Sequence, residues 1–380
     1  MHVGTGIIFQ AQPGRLGDRE VYQRELALGD LAEPLGFESL WGVEHHFTDY
    51  TMCPDVLQHL TYFAGRTTHI QLGSMVVVLP WHDPMRVAEQ VAVLDHVSNG
   101  RAVLGIGRGL GRVEFEGFGV EQSDSRQIFV ESAEMLLQGL ERGVCEYDGK
   151  FVKQARREIR PRPWKSFRGR SYAAAVSPES SQIMARLGVG LLVIPQKPWP
   201  TVVEELAAYR RAYQEVNGSE PPPPIVAGWV YVDEDAARAE ENARHYISRY
   251  YRTVIDHYEL AGSHLQSMKG YEMYGVLQSK MREEGGQDRL SEFFVGLHPW
   301  GTPEQVHAKI LEIQRLTGAE GFVSLFSFGG MPYEDAERNM RLFAKTVMPE
   351  LKGHVPAPQQ RIARAGVGSE AREEEFRLPI

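Results

Sequence analysis

Two segments of this chain, Met75-Val-Val-Val-Leu79 and Phe322-Val-Ser-Leu-Phe326, are apolar with almost no polar alternation. A strand with one wet face alternates, so runs of this kind suit strands buried on both faces, as in a parallel sheet covered by helices. β-rich runs recur at 3–9, 38–43, 70–78, 101–106, 171–175, 190–194, 225–232 and 321–327. Longer helical patterns separate them. Pro84 opens one, carried by Val87, Val91 and Leu94, and Asn99-Gly100 ends it. Thr302-Pro303-Glu304-Gln305 reads as a capping box with proline at the first helical position. Alternating β and α elements imply a parallel sheet, and eight strands favour its closure into a (β/α)8 TIM barrel.

The 380 residues suit one such domain over 1–352, followed by a polar tail of mixed charge at 353–380. Insertions are expected after strands four and seven. Residues 144–153 read as a β-hairpin around Asp148-Gly149. Residues 246–300 exceed one outer helix and carry Tyr246, Tyr250, Tyr251, Tyr258, Tyr271 and Tyr274.

A net charge of −9 argues against a nucleic-acid partner, which needs a positive surface. The two cysteines, Cys53 and Cys145, form no CxxC pair, which fits a reducing compartment and excludes a site of paired thiolates. The N-terminal segment has no signal-peptide core, and no stretch approaches the roughly 18 apolar residues of a membrane span. A cytoplasmic protein without membrane contact is expected.

In a barrel of this type, chemistry belongs at the C-terminal ends of the strands. Strand two runs into Glu44-His45-His46-Phe47. Neighbouring side chains on an extended segment point opposite ways, so the two histidines do not easily share one ligand, and no HExxH pattern is present. No metal site is expected here. One histidine is a candidate general acid/base, set against a plain hydrogen-bonded structural role.

Strand four continues into Gly105-Ile-Gly-Arg-Gly-Leu-Gly111, where Leu110 breaks the GxGxxG spacing. What remains is a loop of backbone N–H groups with one cation, Arg108, suited to phosphate or carboxylate, or simply a tight turn. After strand five, Ser177 and Pro178 start a helix whose free N–H groups suit a phosphate, although capping alone explains them.

Taken together, these segments resemble the luciferase-like flavin-dependent monooxygenases from Gly4 to about Leu351. The most specific stretch is Leu72 to Gly109, with Leu72-Gly-Ser-Met-Val-Val-Val-Leu-Pro80, His82-Asp-Pro-Met-Arg-Val-Ala-Glu-Gln90 and Gly105-Ile-Gly-Arg-Gly109. Glu44-His45-His46-Phe47 and Phe328-Gly-Gly-Met-Pro332 support it independently. The resemblance implies FMN at the barrel mouth, reduced by a separate flavin reductase, with O2 as co-substrate and often a homodimer. It assigns His45 the catalytic role and gives cofactor contacts to Glu44, Met75, Val76, Arg108, Val176, Ser177 and Ser180, with a non-prolyl cis peptide at Met75-Val76. One departure stands out. The light-emitting branch carries a reactive cysteine where this chain has Gly107, so the implied chemistry is ordinary oxygenation of an apolar organic substrate.

In that reading His45 manages protons, and the 246–300 insertion, with Met268 and Met273, shapes the substrate pocket. Two rivals use the same residues: a deazaflavin-dependent hydride-transfer enzyme on this fold, and a flavin-binding protein without turnover.

Overall fold

The computed structural model describes residues 1–355 except 13, 175–177, 267–270 and 284. Eight parallel strands close a barrel: β1 (His2–Ile7), β2 (Ser39–Gly42), β3 (Gln71–Ser74), β4 (Ala102–Gly107), β5 (Ser171–Ala174), β6 (Gly190–Val193), β7 (Ile225–Trp229) and β8 (Gly321–Leu325). Each pairs with the next in sequence, and β8 returns to β1 with Gly321 opposite His2. The expected (β/α)8 architecture is the observed one.

The expected strand over 70–78 is interrupted. The Met75–Val76 peptide is cis, as the resemblance implied, and only Val77–Val78 resumes pairing, against Ile106 and Gly107 of β4. The 225–232 run is likewise two pieces, since Tyr231–Val232 leaves the barrel to pair with Trp300–Gly301.

Helix boundaries follow local chemistry. Asp83 accepts hydrogen bonds from the Met85 and Arg86 N–H groups at 2.8 and 3.1 Å, which starts the helix Pro84–Val97. Asn99 and Gly100 then take positive φ and end it. Thr302 and Gln305 form the reciprocal capping box of helix Pro303–Thr317.

Both insertions lie where expected but are larger. After β4 come helices Arg112–Phe118 and Ser125–Arg142, then a hairpin whose second strand runs to Glu158 instead of ending near 153. After β7 the aromatic stretch starts inside a longer helix, Ala236–His257, followed by Glu272–Met281 and Gly286–Leu297. Among the described residues, no helix is long and apolar enough to cross a membrane. Most of the expected tail, 356–380, lies outside the described residues, as do Val176, Ser177 and Met268.

Candidate functional site at the barrel mouth

Beyond Gly42 the side chains alternate as the sequence implies. Glu44 and His46 share one side, and His45 takes the other. The Glu44 carboxylate is buried and fully engaged. It meets His46 Nε2 at 3.1 Å and His82 Nε2 at 2.6 Å, and accepts the Val78 N–H at 3.0 Å. Burial by itself would raise this carboxyl, but those hydrogen bonds outweigh it and hold the group below its usual range. His46 packs edge-on against Trp81 and Phe118 at 5.4 and 4.6 Å between ring centres. It is therefore a packed, hydrogen-bonded histidine that helps fix the loop.

His45 belongs to a different network. Its Nδ1 lies 3.0 Å from Glu114 Oε1, and the same oxygen accepts the His46 backbone N–H at 2.9 Å. On the far side of the carboxylate, His257 Nε2 stands 3.3 Å from Glu114 Oε2, outside good hydrogen-bond geometry, while its Nδ1 meets Thr48 Oγ1 at 2.8 Å. Helix Arg112–Phe118 supplies Glu114, and the last turn of Ala236–His257 supplies His257. Gly111 leaves the space they need: a Cβ there would sit 2.4 Å from Glu114 Oε2 and 3.1 Å from His257 Nε2.

Glu114 is buried, which favours its neutral form, yet the contacts to His257 and His45 prevail and its pKa falls to about 2. Burial is the larger influence on His257 and lowers its pKa despite the neighbouring carboxylate. A carboxylate only accepts hydrogen bonds, so His45 Nδ1 carries the proton and Nε2 is left as the base.

The expectation that no metal-ligand pattern surrounds His45 holds only for its own segment. Tertiary structure brings donor atoms of His45, Glu114 and His257 within 4.8 Å of one another, a grouping a cation can use. In this structure His45 and Glu114 use those atoms on each other.

Two cavities meet here. One is bordered by Glu44, Val76, Arg108, Arg126 and Ser180, so the described members of the expected cofactor set converge on it. The Arg108 guanidinium lies 3.9 Å over the Tyr271 ring, and Arg126 pairs with Glu179. At Gly107 a Cβ would stand 2.3 Å from Val76 Cγ2, so a cysteine in this position would require Val76 to move.

The second cavity is lined by aromatic and aliphatic side chains. Tyr250, Tyr251, Tyr258 and Tyr274 from the second insertion line it, whereas Tyr271 lines the first cavity and Tyr246 lines neither. Six residues border both spaces: His45, Met75, Ile194, Gln196, Tyr258 and Tyr274. Glu114, His257 and Gln196 escaped the sequence reading because no local spacing marks them.

The profile described as Luciferase-like monooxygenase matches residues 1–320. The alkanal monooxygenase alpha chain of Photobacterium leiognathi is 29% identical over 92% of this chain and 98% of its own. Among solved structures, a monooxygenase from Streptomyces bottropensis superposes with a TM-score of 0.78 at 26% identity, covering 92% of this chain and all of that one. Two others share the fold. They are the oxygenating constituent of 3,6-diketocamphane monooxygenase of Pseudomonas putida with FMN (TM-score 0.71, 17% identity, 92% and 99% covered) and a coenzyme F420 dependent tetrahydromethanopterin reductase of Methanopyrus kandleri (0.62, 21%, 92% and 99%). Profile, relatives and barrel agree: this chain belongs to the luciferase-like monooxygenase family.

Proposed function

We propose that this chain is the oxygenating component of a two-component FMN-dependent monooxygenase. Reduced FMN is delivered by a separate flavin reductase, O2 is the co-substrate, and the organic substrate is apolar. The observation that carries this reading is the meeting of a cation-bearing cavity and an aromatic cavity at His45 and Met75.

The first cavity suits FMN by its chemistry. Guanidinium groups of Arg108 and Arg126 and the Ser180 hydroxyl match a phosphate, which favours charge-assisted donors. Gly107, Met75 and Val76 border this cavity together with His45. Bound reduced FMN would supply the electrons that activate oxygen.

The chain's own residues do the rest. His45 Nε2 accepts or returns a proton beside the reacting atoms, because Glu114 keeps the proton on Nδ1. The aromatic walls exclude water from the substrate side. The proposal extends to a homodimer, as in many family members.

The test is an anaerobic titration with reduced FMN followed by oxygen in a stopped-flow spectrometer. A flavin spectrum that outlasts that of free reduced FMN, with 18O from 18O2 appearing in an added apolar substrate, is the expected outcome. Tight deazaflavin binding with hydride transfer and no oxygen consumption would replace this reading with the reductase one. FMN binding with neither activity would leave a flavin carrier.

A further inference from the structure

The aromatic cavity carries information about its guest. Tyr251 and Phe294 stack with ring centres 4.5 Å apart and planes 19° from parallel, and Tyr250 lies at 22° to the same Phe294 ring. Trp229 adds a fourth face, 4.5 Å from Tyr250 and tilted by 37°. Trp229 is tilted by 54° to Phe294, so three nearly parallel rings and one inclined indole make an aromatic border to the space. Among the described residues, no Asp, Glu, Lys or Arg lines the space.

Trp229 also presents an unmet demand. It is 6% exposed, and its indole N–H has no hydrogen-bond partner among the described residues. A buried donor left without an acceptor is unfavourable, and such groups are rare in folded proteins. His298 packs edge-on at 4.8 Å from the indole, but neither of its nitrogens has a partner among the described residues. Ala227 and Trp229 alternate with Gly228 along β7 and both line the cavity, so the indole faces the barrel interior. In the closed strand order, β7 lies across the barrel from β3, the strand that leads to Met75. His45 and Met75 border the same space.

We propose that the guest of this cavity is a planar aromatic molecule bearing a carbonyl or similar acceptor. Its ring packs among Tyr250, Tyr251 and Phe294, and its acceptor takes the Trp229 N–H. That leaves the edge remote from the acceptor toward His45. Aromatic pairs gain from offset and edge-on contact beyond the area they bury, which a straight alkyl chain cannot reproduce. This inference rests on the proposed function only in treating the aromatic cavity as the substrate side.

The test is calorimetric binding to the flavin-free full-length protein, so its outcome is independent of any flavin chemistry. Three probes separate the contributions: 2-acetonaphthone is planar with a carbonyl, 2-ethylnaphthalene is planar without one, and decanal has a carbonyl on a flexible chain. 2-Acetonaphthone is expected to bind most tightly. Trp229→Phe, which keeps the ring and removes the donor, should weaken it about tenfold, the usual value of one neutral hydrogen bond. The same variant should leave 2-ethylnaphthalene within about twofold of its original affinity. Phe294→Leu should weaken both naphthalenes and spare decanal. Tighter binding of decanal than of either naphthalene overturns the proposed class. An equal effect of Trp229→Phe on both naphthalenes overturns the hydrogen bond.

Discussion

Glu114 Oε1 stands 3.0 Å from His45 Nδ1, across 69 residues of sequence, and the carboxylate it belongs to is completely buried. The contact sets the tautomer of the one histidine that borders both cavities among the described residues. It also couples the site to pH. The Glu114 carboxyl has a folded pKa of about 2 against an ordinary 4.5, so its ionised form stabilises the fold. That contribution is complete above about pH 4.5 and is lost as pH falls through about 2.

Glu114→Gln keeps the shape and removes the charge. We expect oxygenation to fall at least about tenfold, since the amide no longer holds His45 in one tautomer. Thermal melts from pH 5 to pH 3 check the linkage. The wild-type Tm should fall more steeply than that of the variant, and parallel curves would remove the ionised carboxylate from the account.

His45→Ala should lower oxygenation by roughly 10²–10⁴-fold, the range for a positioned acid or base, with FMN binding retained. His46→Ala should act on stability instead. It strips one hydrogen bond from the buried Glu44 carboxylate, for which about 1–3 kcal/mol is typical. Turnover at matched flavin saturation and thermal melts separate the two. A folded but inactive His46→Ala beside an active His45→Ala would reverse the assignment.

Arg108→Ala should weaken FMN binding by about 1.5–3 kcal/mol, the usual value of a charge-assisted hydrogen bond. Riboflavin lacks the phosphate and should be affected much less. Because the guanidinium also rests on Tyr271, Arg108→Lys tests geometry separately from charge. Fluorescence titration with both flavins decides the matter, and equal losses would remove the phosphate contact.

A second buried carboxyl behaves in the opposite sense. Glu25 accepts a hydrogen bond from Ser327 at 2.6 Å, but its other oxygen has no partner among the described residues. Burial dominates and lifts its pKa to about 7 from 4.5. A raised carboxyl favours the folded state below its unfolded pKa, and the benefit fades as pH rises through about 7. A displacement of this size corresponds to roughly 3 kcal/mol. Glu25→Gln should therefore gain stability relative to the wild type between pH 5 and pH 8, read from chemical denaturation at both. A constant difference would show that the carboxyl does not titrate in that window.

The sequence by itself determined the barrel, because that decision rests on local periodicity. Eight β-rich runs separated by helical patterns leave little choice of architecture, although the apolar run Met75–Leu79 itself lies past the barrel strand Gln71–Ser74. It also set His45 and His46 on opposite sides, since alternation along an extended segment is a property of the backbone, whereas the choice of His45 came from the family resemblance. Arg108, Ser180, Val76 and Glu44 were legible through the motifs of their family and do border one cavity. Only the tertiary structure decided what surrounds them. Glu114 and His257 reach His45 from separate insertions, 69 and 212 residues away, through contacts that depend on how helices pack over the barrel mouth. The division of the tyrosines was equally hidden, because Tyr258, Tyr271 and Tyr274 read alike in sequence. Which cavity each ring faces follows from the helix or loop it occupies, and no local pattern encodes that rotation.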